Sequence, residues 1–346
     1  MKRLVGVHVA DGGGGDLSAF VNAQDPSGNS AVIGAVFSGH LDLLSFLAES
    51  CGSGDDDRDG NGGGGVDLTI KNGLGCSPLW VAAGYDRVEC LEYLVDKLRA
   101  SNKLESALLD ANSTGDTPFV AAVSRGNVGA CRALLKSAEK CDDCWEMKRK
   151  MLRTANNGGD TALKVAVANG HGEELLTLLL EADDLCSEHP VDPSTEDAAD
   201  DEEEDPLRSK CVNRKNNSGL SPLIIACERN LPLVAELLLR HGADLSIRDA
   251  MGRNSLAVAA FCGCNDVVEF LLNKTEAKAL LLDDVDQNGC TPLWLLARTG
   301  NVSMVKLLMD AGADASIKDN EGLSPHDVAV KFKKEKVEEY FQQQKE

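Results

Sequence analysis

Apolar side chains recur along this chain in a two-part rhythm. One part is a pair of adjacent apolar residues followed by a second pair four positions on. Examples are Leu43, Leu44, Leu47 and Ala48; Val267, Val268, Leu271 and Leu272; and Met304, Val305, Leu308 and Met309. This spacing predicts short helices with a wide apolar face, as expected where helices are stacked on two sides. The other part opens on Ser or Thr before Pro and runs through small residues such as Ala82, Ala83, Ala259 and Ala260. It stops at Gly39, Gly126, Gly170, Asn230, Gly263 or Gly300. A Ser or Thr hydroxyl caps free N–H groups, Pro suits the first helical position, and glycine or asparagine closes the helix. The alternation predicts a chain of two-helix units.

The units recur in register. Gly219-Leu220-Ser221-Pro222-Leu223 leads to Ala226, and Gly289-Cys290-Thr291-Pro292-Leu293 leads to Ala297 and Gly300. Gly75-Cys76-Ser77-Pro78-Leu79 and Gly115-Asp116-Thr117-Pro118-Phe119 behave alike, and weaker copies open at Gly28, Gly159, Gly252 and Gly322. The shortest gap between these anchor glycines is 33 residues and occurs twice; the others are 33 plus an insertion. In the last copy the apolar stripe reads Val337, Glu338, Phe341 and Gln342, half polar. That is expected of a terminal repeat whose outer face meets water. Leu17 to Val21 reads as the remnant of a capping helix within an N-terminal segment, 1–21, that is partly ordered.

These residues resemble the ankyrin repeat, with its pattern D-x-x-G-x-T-P-L-H-x-A-A-x-x-G-H, from about residue 22 to 346 in about eight copies. Gly242-Ala243-Asp244 and Gly312-Ala313-Asp314 add to the likeness. The resemblance implies an all-α solenoid of stacked helix-turn-helix units with short β-hairpin or turn connections. It implies a non-enzymatic protein-binding module, a scaffold, adaptor or regulatory binder, that recognises its partner through a concave face. It places contact residues at the two positions before each anchor glycine, at the one after it, and nine and ten after it. Transferred to this chain, those slots give Tyr85, Arg125, Glu228, Arg229, Met251, Arg253, Phe261 and Arg298 as partner-binding candidates. Arginine and aromatic side chains are the usual energetic anchors of interfaces.

Charge and composition narrow the rest. Asp and Glu number 56 against 35 Lys and Arg, for a net charge of −21. A general nucleic-acid binder needs the opposite balance, so no direct nucleic-acid partner is expected. Hydrophobic residues reach 43%, enough for a core, and aromatics only 4%. No apolar run approaches the roughly 20 residues of a membrane span, so no membrane insertion is expected. The first ten residues contain His8 and lead into Asp11 and four glycines, unlike a secretory signal. Twelve cysteines spread over such a chain favour reduced thiols in the cytoplasm, the nucleus or both. The chain is expected to be monomeric on its own.

Insertions divide the array. Repeats one to four occupy 22–182, with a Gly/Asp-rich loop at 51–66. Leu98 to Ala111 reads as an extension of a second helix, and Cys141 to Thr154, with the basic run Lys148-Arg149-Lys150, reads as another helix. An insertion at 183–207 is acidic and expected to be disordered; between Glu181 and Asp205 there are thirteen acidic residues and no Lys or Arg. Repeats five to eight occupy 208–346.

Catalytic motifs are absent. The glycine runs 12–15 and 62–65 lack the lysine and helix start of a phosphate loop, and there is no H-E-x-x-H or G-x-S-x-G. No catalytic residue, cofactor site or metal site is assigned. His40 and His171, after Gly39 and Gly170, are expected to be structural, as are Trp80 and Trp294 behind Pro-Leu. Two alternatives stay open. One is a chaperone for a basic client, such as a histone or ribosomal protein, held by the acidic insertion. The other is a zinc or redox protein centred on Cys141 and Cys144, a lone C-x-x-C.

Overall fold

The computed structural model describes residues 21–50, 66–189 and 210–344. These residues form nineteen α-helices, two short 3-10 turns and one isolated bridge between Gln24 and Ser30. The glycine-rich loop, most of the acidic tract and Leu17 to Phe20 lie outside the described residues.

Contacts divide the chain into two compact units: Met1–Asn157 with Leu185–Arg208, and Gly158–Asp184 with Ser209–Glu346. The boundaries fall between Asn157 and Gly158, between Asp184 and Leu185, and between Arg208 and Ser209. The first unit holds α1 (Ala31–Phe37), α2 (Leu41–Ser50), α3 (Pro78–Gly84), α4 (Val88–Ala100), α5 (Leu104–Leu108), α6 (Pro118–Ser124), α7 (Val128–Ser137) and α8 (Cys144–Arg153). In the second unit lie α9 (Ala162–Ala168), α10 (Glu173–Glu188, from Leu185 onward grouped with the first), α11 (Pro222–Glu228), α12 (Pro232–Arg240) and α13 (Ser255–Cys262). It continues with α14 (Asn265–Asn273), α15 (Thr275–Leu281), α16 (Pro292–Thr299), α17 (Val302–Asp310), α18 (Pro325–Lys331) and α19 (Glu335–Gln343).

Short inner helices pack on their neighbours: α1 on α3 and α3 on α6 in the first unit, and α9, α11, α13, α16 and α18 in sequence in the second. Ala82, Ala83, Ala259 and Ala260 are buried there, where small side chains let backbones approach. Longer outer helices form the second layer, with α2 on α4 and α4 on α7, and with α14 on α17 and α17 on α19. Their stripes are buried where the sequence places them, at Leu44, Leu47, Val267, Val268, Leu271, Met304, Val305 and Leu308. In α19 only Val337 and Phe341 are buried.

Each inner helix starts where its cap predicts. The side chains of Ser30, Ser77, Thr117, Ser221, Asn254, Thr291 and Ser324 accept hydrogen bonds from backbone N–H groups three residues on. Before each anchor glycine a carboxylate or amide folds the turn. Oδ1 of Asn72 accepts from the amides of Leu74 and Cys76, and Oδ1 of Asp249 from those of Met251 and Arg253. The connections are these turns, with no β-strand among the described residues. The anchor glycine must be left-handed: at Gly115 φ is +81° and an added Cβ would lie 2.6 Å from the Asn157 nitrogen.

Two insertions differ from expectation. Helix α4 stops at Ala100, because Asn102 turns left-handed (φ 55°), and α5 is a separate helix. Helix α10 runs through Asp183 to Glu188, with Asp183 and Cys186 buried, so the start of the acidic tract is folded.

Candidate functional site

The slots that the repeat pattern marks out sit at turn tips and at the C-terminal ends of inner helices. In the first unit they assemble a ladder. Phe37, the last residue of α1, meets Tyr85, the C-cap of α3, edge to face at 4.6 Å between ring centroids. The guanidinium of Arg125, the C-cap of α6, lies 4.0 Å from the Tyr85 centroid. Leu74 stands beside them on a turn tip, 67% exposed. These residues line one groove together with Gly34, Cys76 and Trp80. The indole of Trp80 donates to the carbonyl of Asp116 at 2.9 Å and so braces two repeats. Burial pushes the Cys76 thiol up, against a hydrogen bond from Asn112 and the charge of Arg125.

In the second unit the candidates form smaller groups. Arg253 stacks over Phe261 at 5.2 Å, and Arg298 lies 5.3 Å from the Phe332 ring and 6.0 Å from that of Trp294. Met251 is 58% exposed at its turn tip. Glu228 and Arg229 are exposed at the end of α11. Arg253 has a structural duty that spacing did not reveal. Its Nε donates to Asp249 Oδ2 at 2.8 Å, and the carboxylate is buried, so the side chain locks its own turn. Arg125, Arg229 and Arg298 make no ion pair among the described residues.

Other chemistry-bearing residues lie outside these slots. Arg149 of the basic run is buried; it donates to Glu146 Oε2 at 2.5 Å and to the carbonyls of Cys186 and His189 at 3.0 and 2.9 Å. It thereby satisfies carbonyls at the end of α10. Trp145 stacks on His189 at 3.8 Å. Cys141 and Cys144 are partly exposed free thiols, and burial pushes that of Cys141 up. Among the described residues no group of three or more His, Cys, Asp or Glu side chains is arranged to hold a metal ion. Burial drives the Cys131 and Cys290 thiols to about 12, far from the range of a reactive thiolate. No helix among the described residues is long and apolar enough to cross a membrane.

Comparison with known proteins agrees with this architecture. The family described as ankyrin repeats in three copies matches residues 61–144, 106–189 and 206–281, and the single ankyrin repeat matches 288–320. The tyrosine-protein kinase HTK16 of Hydra vulgaris is 30% identical over 138 residues, which is 40% of this chain and 18% of the kinase. NF-kappa-B inhibitor alpha of Sus scrofa is 35% identical over 107 residues, 30% of this chain and 34% of the inhibitor. The chain therefore spans only a minor part of the relatives it matches. Among solved structures, the ankyrin repeat domain of Bcl-3, a member of the IkappaB protein family, aligns with a TM-score of 0.50 at 24% identity, covering 88% of this chain and 95% of that one. Family matches over more than half of the residues, on an all-α repeat fold whose anchor glycines are all left-handed, establish that this chain belongs to the ankyrin repeat family.

Proposed function

We propose that this protein–protein interaction module binds its partner on the inner surface formed by turn tips and inner-helix ends, as a scaffold, adaptor or regulatory binding protein without catalysis of its own. One observation carries the reading. Of the eleven large apolar side chains exposed among the described residues, six occupy the contact slots: Phe37, Leu74, Tyr85, Met251, Phe261 and Phe332. Soluble surfaces scatter such groups, and their concentration on one kind of position marks an interaction surface. Recognition by a surface folded before binding costs little conformational entropy. The eleven described cysteines are free thiols, which supports a cytoplasmic or nuclear setting.

Photo-crosslinking tests this. A photoreactive residue at position 74 or 251 is expected to capture a protein partner in cells, whereas one at the exposed outer position 92 is not. Equal capture at all three, or capture at 92 alone, overturns the inner-surface reading.

A second reading rests on the thirteen acidic residues between Glu181 and Asp205, most of them beyond the described structure. They support a basic client held electrostatically. Deletion of 192–205 is then expected to abolish salt-sensitive binding to a basic protein such as a histone; unchanged affinity rejects it.

A further inference from the structure

The groove of the first unit has a specific chemical character. Its wall carries Phe37, 50% exposed, Leu74 and Tyr85. Its floor includes Gly34, in the middle of α1, where a Cβ would meet nothing within 4 Å. Glycine is a poor helix residue, and packing does not require it here. Its effect is to leave room beside the aromatic ladder that an ordinary side chain would fill.

Two charged residues line the groove, and they differ. The Asp25 carboxylate is engaged, accepting from the amides of Ser27 and Asn29 at 2.9 and 2.8 Å. Arg125 is exposed, its guanidinium 4.0 Å over the Tyr85 ring, and unmatched by any carboxylate among the described residues. The stacking fixes where the guanidinium sits and leaves its forked donors open to a carboxylate. Phe37, Tyr85 and Arg125 follow one another at 4.6 and 4.0 Å, a run that two or three residues of extended chain span.

We infer that this groove takes an extended peptide segment carrying a large aliphatic side chain, seated over Gly34 against Phe37 and Leu74, with a carboxylate two or three residues away that pairs with Arg125. The inference rests on the inner-surface reading above and names the partner chemistry for its first unit. The occupant is acidic as well as apolar because Arg125 is the charged group of the groove without a hydrogen-bond partner among the described residues, whereas the Asp25 carboxylate is already held by two backbone amides.

The test uses the full chain and four fluorescein-labelled twelve-residue peptides in a Gly/Ser/Thr background. They differ at two positions, with Leu or Ala followed two residues later by Asp or Lys, and binding is read by anisotropy. The Leu/Asp peptide is expected to bind at least tenfold more tightly than the other three. Arg125→Glu is expected to reverse the preference toward Leu/Lys. Gly34→Gln is expected to weaken Leu/Asp binding about tenfold, while Gly34→Ala keeps or raises the thermal midpoint and so controls for folding. Binding of none of the four, or equal binding of Asp and Lys peptides, overturns the inference. Uniformly tighter peptide binding to a chain lacking 192–205 would assign the groove to the chain's own acidic tract and also overturn it. So would a concentration-dependent doubling of mass that Arg125→Glu removes, which would assign the groove to a second copy. Partner capture at positions 74 and 251 without peptide discrimination defeats this inference alone, whereas loss of inner-surface capture defeats the functional reading beneath it.

Discussion

The ammonium of Lys164 donates to the carbonyl oxygen of Gly159 at 2.6 Å from a side chain with no exposed surface. It stands on α9 in the register position that Trp80 and Trp294 occupy in their repeats. Burial disfavours its charge and lowers its pKa from 10.5 to about 8, with the Asp160 carboxylate acting the other way. Below pH 8 the lysine is charged in both folded and unfolded chains, so the cost of burying it is constant. Between about pH 8 and 10.5 the unfolded chain keeps a proton that the folded chain has released, so this group makes stability rise with pH through that window. The total is on the order of 3 kcal/mol. Urea unfolding at pH 8 and pH 10 is expected to show that rise in the parent chain relative to Lys164→Met; parallel profiles for the two would reject it.

The fourth inner helix is capped unlike its siblings. Thr161 holds the N-cap position, yet its hydroxyl is buried and makes no hydrogen bond among the described residues, whereas the Thr117 hydroxyl accepts from the Val120 amide at 3.3 Å. Replacing Thr161 with Val removes an unpaired polar atom and is expected to leave stability unchanged or raise it by up to about 1 kcal/mol. Thr117→Val is expected to cost about 1 kcal/mol. Denaturation midpoints in urea compare the two, and equal losses would contradict the account.

Left-handed glycines in this fold serve two purposes, and alanine separates them. At Gly170 (φ +68°) an added Cβ meets open space, so Gly170→Ala is expected to cost only the backbone strain, about 1 kcal/mol. At Gly159 (φ +76°) the same atom would lie 2.7 Å from the Asn217 nitrogen. Gly159→Ala is therefore expected to cost about 2 kcal/mol or more, since backbone of the next repeat must shift as well. Calorimetric midpoints for the pair check the order.

Arg229 and Arg298 are the exposed arginines of the second unit's contact slots that carry no ion pair among the described residues. Changing both to Ala is expected to weaken binding of the captured partner by about 2 kcal/mol or more if they anchor it. Isothermal titration with the purified partner reads this directly, and an unaltered Kd would remove them from the interface.

Elements governed by local chemistry were legible in the residues. The caps at Ser77, Thr117 and Ser221, the anchor glycines and the paired apolar stripes each depend on neighbours within one repeat, so spacing exposes them. What stayed hidden depends on distant partners or on residues outside their usual preferences. Asp86 and Lys333 take the left-handed position that glycine fills elsewhere, with φ of 53° and 54°. The run Lys148-Arg149-Lys150 looks solvated in sequence, yet the carbonyls that draw Arg149 inside come from residues about forty positions on. The eight contact candidates followed from the family pattern, but the pairing of Arg253 with Asp249 and the opening at Gly34 became visible only in three dimensions.

Two adjacent aspartates of α10 clasp the chain where it re-enters the second unit. Asp183 accepts from the Cys211 amide at 2.8 Å, and Asp184 bridges Lys210 at 2.7 Å and His241 at 2.6 Å. The points of exit and return are thus fixed by the scaffold itself. Extra chain inserted beyond the packed Cys186 and His189, between positions 190 and 209, adds a closure entropy that grows only by about 0.6 kcal/mol for each doubling of contour length. This place on the chain is therefore a natural port, where a peptide, an epitope or a whole folded cargo can be spliced in at small thermodynamic cost.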